Sequence, residues 1–363
     1  MTKLTINKYA AKKIVQGIAV LDARDFPGNT YSEGFAELYF DHQLLSQAYF
    51  SRQNKGIGWA VKSIDFIQLL TDAKNKRQSY AQDTATTAYR VFNQDGDGFG
   101  GMSIDIYEDY ALFSWYNAFI YTLKNEILTA FQIVFPEILG AYEKVRFESK
   151  LPISSHIYGK MAPEKFIILE NGVKYQVFLN DGLMTGIFLD QHEVRGTLLE
   201  HLAAGKDILN LFSYTAAFSV AAAMGGAKST TSVDLAKRSR ELSEAHFKVN
   251  GLALDAHKFH IMDVFEYAKY AARKKLSFDL IVIDPPSFAR NKKMTFSVAK
   301  DYHQLIADAL PILNRHGKII ASTNHARLSR ADFLDELKKG FGTQKFDVIE
   351  TFHLPADFAT NPS

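Results

Sequence analysis

The chain has 363 residues, 47% of them hydrophobic and 23% charged, with a formal net charge of +2 and no cysteine. That length exceeds one ordinary core and that balance belongs to a globular protein, so two or three domains are expected. The lack of cysteine excludes disulfides, thiolate metal sites and any step that uses a protein thiol nucleophile. With so little net charge, a nucleic acid would have to be held by local clusters of Lys and Arg. No run approaches the roughly 20 apolar residues of a membrane span, and the opening MTKLTINKYAAKK lacks the apolar core of a signal peptide. No membrane partner and a cytoplasmic location are therefore expected.

Residues 1–70 mix turn signals (Phe26-Pro27-Gly28-Asn29, Asn54-Lys55-Gly56) with strand-like AELYF, LLSQAYF and IGWAV, and read as a small, mostly-β domain. Residues 71–180 read as a second, α/β domain. A charged helical stretch from Ile67 to Arg77 leads into it, followed by the strand AYRVF, the turn Asp95-Gly96-Asp97-Gly98, the strand YALFSWY, the amphipathic helix TLKNEILTAFQIVF and the strand KVRFES. It closes with KFIILE and VKYQVFL around Asn171-Gly172, a hairpin signal because both turn residues tolerate positive φ.

Residues 181–363 change to alternating strand and helix. DILNLF, STTSVDL, KFHIMD, FDLIVID and GKIIAST read as strands, separated by helical YTAAFSVAAAMGG, AKRSRELSEAHFKVNGL, EYAKYAARKK and AKDYHQLIADALPIL. Repeated β–α units of this length demand a parallel, doubly wound α/β sheet, whose ligands lie at the carboxyl ends of its strands. FDVIETFHLP reads as one more strand, after which the chain reaches Ser363 before an antiparallel closing strand. Either a segment is missing or the sheet closes differently.

The first of these strands ends in Phe212-Ser213-Tyr214-Thr215 and runs into a helix beginning Ala216, Ala217 and carrying Ser219, a tight turn suited to a nucleoside. Asp234 ends the second, where a carboxylate can accept from both ribose hydroxyls; Asp263, before Val264, ends the third, where it can accept from an adenine amino group. Both are also placed to cap the helices that follow. The fourth ends in Asp284-Pro285-Pro286-Ser287-Phe288. Two prolines stiffen the bend and aim Asp284 at the cleft, and Phe288 is placed to stack a flipped-out base; a plain stiffened loop is the alternative. Arg290, Lys292 and Lys293 beyond it read as a phosphate-holding loop or a solvated face. An NAD-dependent oxidoreductase would use the same Asp234, but the first turn lacks G-x-G-x-x-G. A non-catalytic RNA-binding protein would not need the polar strand ends.

With NLFSYT, VDLA, DPPSF, TGIFLDQ and DGDGFGGMSIDIYEDY together, nearly the whole chain resembles the large-subunit ribosomal RNA methyltransferases of the RlmI type. The resemblance implies a PUA domain, a linking domain and a C-terminal Rossmann-like class I methyltransferase domain. It also implies S-adenosylmethionine as cofactor, 23S ribosomal RNA as partner and cytosine C5 as the methylated atom; a homodimer stays open. Carried over, Thr185, Gly186, Phe188, Leu189, Asp190 and Gln191 look like the cofactor motif before the first strand. Phe212 and Ser213, with Tyr214 and Thr215, look like the methionine-side turn, Asp234 the ribose acid, Asp263 with Val264 the adenine contact, and Asp284 with Pro285 the edge of the methyl-transfer site.

This sequence departs from the family at three places. His192 stands where the family has Arg, with Arg195 one turn on as a substitute; Ala216 and Ala217 stand where it has Gly; and Asn324 stands where it has the Cys whose thiolate adds to cytosine C6. Without that thiolate, C5 is a poor nucleophile. Related ribosomal enzymes that methylate guanine N7 have FSYT, DPP-x-F and an Asn at the fifth strand end. Such a ring nitrogen attacks directly, with Asp284 and Asn324 orienting the base and Phe288 stacking on it.

Overall fold

The computed structural model describes all residues except 27, 29, 30, 54, 55, 291–294, 326, 327, 362 and 363, and the side chains of 289, 290 and 295. The chain divides into two units. The first comprises Met1–Gly172, Val177–Asp190 and Leu354–Ser363; the second comprises Val173–Gln176 and Gln191–His353.

The first unit opens with strand β1 (Thr2–Thr5), helix α1 (Lys8–Val15) and strands β2 (Val20–Leu21), β3 (Gly34–Phe40), β4 (Gln43–Phe50) and β5 (Gly58–Val61). They form a sheet in the order β1-β3-β4-β5-β2, with β1 parallel to β3 and the other pairs antiparallel. The sequence reading found its three longer strands and missed α1, whose start is fixed by Asn7 accepting from the Ala10 amide. Helices α2 (Phe66–Lys76) and α3 (Gln78–Ala81) lead to strands β6 (Ala88–Asn93), β7 (Met102–Tyr107) and β8 (Tyr110–Trp115). Helices α4 (Ala118–Thr122) and α5 (Lys124–Val134) then cross over to β9 (Gly140–Val145) and β10 (Ser154–Gly159).

This second sheet runs β10-β9-β8-β7-β6, with β8 and β9 parallel, as a helical crossover requires. Strands β7, β8 and β9 are buried along their whole length. The two sheets share one aromatic core. Tyr49 stacks on Phe99 at 5.2 Å and on Phe119 at 5.3 Å, and its hydroxyl donates to the Gly100 carbonyl. Strands β11 (Phe166–Glu170) and β12 (Val173–Val177) flank Asn171 and Gly172, both at positive φ as the hairpin reading requires.

The second unit contains helix α6 (His192–Thr197), then β13 (Asp207–Leu211), α7 (Ala217–Met224), β14 (Ser229–Asp234), α8 (Lys237–Val249), β15 (His257–Ile261), α9 (Val264–Arg273) and β16 (Phe278–Ile283). A two-stranded arm, β17 (Phe288–Arg290) with β18 (Thr295–Ser297), follows, then α10 (Val298–Ala309), β19 (Leu313–Ala321) and α11 (Arg330–Phe341). The sheet order is β15-β14-β13-β16-β19, every pair parallel. Alternate residues face opposite ways, as period two dictates. Ile208, Leu280 and Val282 pack with α6 and α7, whereas Leu209, Leu211, Ile281 and Ile283 pack with α9 and α10.

FDVIETFHLP is not a strand. Phe346 stacks on Phe341 at 4.1 Å and Phe352 joins the α7 side of the core, while Val348 and Ile349 are exposed, so the segment buries no continuous strand face. No helix among the described residues is long and apolar enough to cross a membrane.

Candidate active site

Chain order reverses at β13, which has β14 on one side and β16 on the other, so a crevice opens at its carboxyl end. The turn there is built from residues that resist it. Phe212, Tyr214 and Ala216 take φ of 58°, 49° and 60°, left-handed conformations that cost a non-glycine residue roughly 1–2 kcal/mol each. Other groups hold them in place. Ser213 N donates to the Val233 carbonyl (3.0 Å), Tyr214 N to Asp234 Oδ2 (2.9 Å), and Ala216 N to the Ser213 carbonyl (2.7 Å). Ala216 thus serves as the left-handed N-cap of α7, the position where glycine would be unstrained.

Asp234 does two jobs. Its Oδ1 accepts from Ala236 N and Ser239 Oγ, both at 2.9 Å, which fastens it to the start of α8 while Oδ2 closes the first turn; the N-cap of α8 is Ala236, so Asp234 is not the cap that its position suggests. A carboxylate can accept about four hydrogen bonds, so capacity for a ribose hydroxyl remains. The carboxylate is half-buried in a shallow, open depression lined by Ser213, Ser239, Phe259, His260 and Ile261 among others. A half-buried acid at the end of such a strand can accept from ribose hydroxyls. Asp263 is the N-cap of α9, accepting from Phe265 N (3.0 Å) and Glu266 N (3.3 Å), and Val264 is buried behind it.

At the ends of β16 and β19 two side-chain pairs cross-brace the sheet. Ser322 Oγ donates to Asp284 Oδ1, and Ser287 Oγ donates to Asn324 Oδ1 at 2.5 Å. Ser322 N also reaches the Ile283 carbonyl (3.0 Å), which Tyr302 holds from below through its hydroxyl (2.9 Å). Burial, and then the Asp284 charge, push that phenol well above its ordinary pKa, so it remains a donor. Pro285 is buried, Asn324 exposed, and Phe288 projects from β17 with 61% of its surface in solvent. Behind the arm, Phe296 packs between Phe212 (6.4 Å) and Phe265 (5.8 Å), tying β18 to the first turn. Lys292, Lys293 and the side chain of Arg290 lie outside the described residues.

The TGIFLDQ segment straddles the unit boundary. Thr185, Gly186, Phe188, Leu189 and Asp190 belong to the first unit; Gln191 and His192 belong to the second. In the first unit the segment is held by the central sheet. Tyr107 OH donates to Thr185 Oγ1 (3.2 Å), Lys144 Nζ to the Gly182 carbonyl (2.6 Å) and Arg146 to the Leu183 carbonyl (3.0 Å). Burial, followed by the Arg146 charge, pushes the Lys144 ammonium down to about 8. In the second unit Arg195 is buried with its guanidinium 5.5 Å from the Phe218 ring centre. The second unit therefore gathers Phe212, Ser213, Tyr214, Thr215, Asp234, Asp263, Val264, Asp284, Pro285, Phe288 and Asn324 at the carboxyl ends of one parallel sheet. Ser239, Ser287, Tyr302 and Ser322 join them without having been singled out, since a serine near a strand end carries no signal until register pairs it.

A parallel sheet of this order, with an acid closing its first turn and an acid-Pro-Pro bend on its fourth strand, defines a class I methyltransferase that uses S-adenosylmethionine. The family model of S-adenosylmethionine-dependent methyltransferases matches residues 151–361, and the chain belongs to that family. It is 41% identical to the Bacillus subtilis protein named ribosomal RNA large subunit methyltransferase YwbD, over 99% of this chain and 96% of that one. It is 30% identical to ribosomal RNA large subunit methyltransferase I of Yersinia pestis, over 82% of this chain and 74% of the relative. Among solved structures, the methyltransferase SMU.776 complexed with SAH superposes with a TM-score of 0.95 at 54% identity, covering 99% of this chain and 96% of that one. A Streptococcus mutans methyltransferase gives 0.93 at 53% identity, with the same coverage.

Proposed function

We propose that this enzyme methylates a ring nitrogen of a base in large-subunit ribosomal RNA. The names of these two relatives, the first matched nearly end to end, support the RNA class. One observation carries the choice of nitrogen: the strand ends that flank the transfer site present a carboxylate, Asp284, and a carboxamide, Asn324, each braced by a serine, in a chain without a thiol. Bound S-adenosylmethionine supplies an electrophilic methyl group on a sulfonium. A ring nitrogen brings its own lone pair, so the protein need only orient the base and stabilise the charge that develops on it. Asp284 and Asn324 orient the edge of the base, and Phe288 offers a ring face for stacking. Asp234 receives the ribose, and Asp263 and Val264 flank the adenine.

In the same reading, residues 1–70 form a PUA-like docking module, residues 71–180 a linking domain and residues 181–363 the catalytic domain. The docking role is supported by exposed cations and an aromatic ring on α1, where the Arg24 guanidinium lies 5.6 Å from the exposed Tyr9 ring, beside Lys8 and Lys12. The test is mass spectrometry of nucleosides from 23S ribosomal RNA of a strain lacking the gene, before and after treatment with purified enzyme and S-adenosylmethionine. Appearance of a ring-nitrogen-methylated base, guanine N7 first among them, is the expected result; 5-methylcytosine would overturn the nitrogen assignment.

A further inference from the structure

The buried face of α8 is unexpectedly polar. Ser239, Ser243 and His246, at helical spacing, are all buried where apolar residues would serve packing better. Ser239 donates to Asp234, Ser243 donates to the Ser239 carbonyl, and His246 completes the row. Its Nδ1 lies 2.9 Å from the carbonyl oxygen of Thr215, inside the first turn, and its Nε2 lies 3.0 Å from that of Gln176 on β12. Both partners are acceptors, so each contact calls for an N–H on the ring. Burial pushes the His246 pKa below its ordinary value and so favours the neutral ring, which in its Nδ1–H tautomer donates to the Thr215 carbonyl and faces that of Gln176 with a lone pair. Tyr175, also on β12, donates its hydroxyl to the Ala217 carbonyl at 3.3 Å and sets its ring edge-on to His246 at 5.5 Å. Two carbonyls of the strained turn and the helix start it feeds are therefore held from outside, by one buried helix residue and one strand residue.

We propose that His246 and Tyr175 are positioning residues for the methyl donor: they fix the carbonyls of Thr215 and Ala217 and so keep the Phe212–Ala216 turn in its left-handed shape. Strand β12 is by this route a working part of the donor site. The inference rests on reading that turn as the donor-binding turn. Without external holds, three left-handed residues relax toward ordinary φ, and the carboxyl end of β13 loses the shape that would meet the donor.

The test is calorimetric titration of S-adenosylmethionine into the full chain, with melting temperatures and steady-state kinetics alongside. His246→Ala is expected to weaken donor binding about tenfold, the effect of leaving a buried acceptor without its donor, with the loss falling on the donor KM more than on kcat. Tyr175→Phe should weaken it less, and His246→Gln, which keeps a side-chain N–H, should restore most of the affinity. Asn250→Ala is the control for stability alone. Asn250 clasps Lys174 on the same strand through its amide oxygen (2.9 Å) and nitrogen (2.8 Å), away from the turn. It should lower the melting temperature and leave donor affinity intact. Equal loss of affinity in Asn250→Ala and His246→Ala would overturn the proposal, as would a His246→Ala change confined to melting. Asp234→Asn separates the two layers: lost affinity there with His246→Ala unaffected sinks the positioning role alone, whereas full affinity in Asp234→Asn sinks the donor-turn reading and the proposal with it.

Discussion

Two acidic turns carry much of the chain's family resemblance, Asp95-Gly96-Asp97-Gly98 in the first unit and Asp284-Pro285-Pro286-Ser287-Phe288 in the second, and they are built for opposite ends. Asp97 is saturated: Arg77 grips it bidentately at 2.6 and 2.7 Å, Lys76 adds 3.0 Å, and the Asn93 amide donates to it. Arg77, only 1% exposed, gives its other donors to the Asp357 and Ala73 carbonyls, and Asn93 holds the Ala359 carbonyl, so the turn seats the segment that follows Leu354. Gly96 has no room for a side chain because the Ala359 carbonyl lies against it. Asp284 is half-buried at a strand end beside an exposed aromatic, and Ser322 is among the groups that donate to it. A carboxylate clamped by a buried guanidinium holds structure, and one at the carboxyl end of a parallel strand is placed where ligands of such sheets lie.

The largest effect should come from breaking the saturated turn. Arg77→Ala strands a buried carboxylate and is expected to destabilise the fold by about 3–5 kcal/mol, read by denaturant titration; a loss under about 1 kcal/mol would mean that water reaches Asp97. Asp284→Asn inverts the pattern. It keeps size and one acceptor, so the melting temperature should hold while methyl transfer falls about a hundredfold or more, the usual consequence of losing one electrostatic group at a reacting centre. Equal loss of stability and of rate in both variants would erase the distinction between the turns.

Phe288→Ala probes the exposed side of the second turn. Solvent already covers most of that ring, so stability should change by less than about 0.5 kcal/mol. Its worth should appear in RNA affinity, where one lost stacking platform costs about 1–3 kcal/mol, or roughly tenfold in KM for RNA. An unchanged KM for RNA would remove Phe288 from base recognition and leave the arm a purely structural strand pair.

The same contrast explains what could be read from the sequence. The β–α alternation after Asp181 exposed the parallel sheet, because β13 and β16 are mostly apolar runs and α9 is strongly amphipathic. Asp234, Asp263 and Asp284 were legible because a carboxylate at the end of such a strand stands out. The serines that brace or cap them were not, since Ser322 meets Asp284 only through the register of β16 on β19. Asp263 illustrates the ambiguity: the cap is plain in the structure, and a cap and an adenine contact look alike in one dimension. FDVIETFHLP misled because its apolar residues alternate like a strand, yet they pack singly or face solvent.

The first turn is where sequence reasoning had least to work with, since none of its three left-handed residues is a glycine. Ala216 in place of glycine reads as a narrowed turn; the structure shows a strained one. Ala216→Gly should relieve roughly 1–2 kcal/mol of backbone strain. Against that stand the lost burial of one methyl group, about 0.8 kcal/mol, and the extra freedom of the unfolded chain, about 0.4–1 kcal/mol. The three nearly cancel, so stability should stay within about 1 kcal/mol of the parent, and donor affinity should be unchanged because the hydrogen bonds of Ser213, Tyr214 and residue 216 are all backbone N–H bonds. Ala216→Val, which forces a β-branched side chain into the same φ, should cost more than about 2 kcal/mol. If glycine stabilised the fold strongly while weakening donor binding, the strain itself would be what shapes the site, and the holds supplied by Asp234 and the Val233 carbonyl would be working against a turn that is otherwise ready to relax.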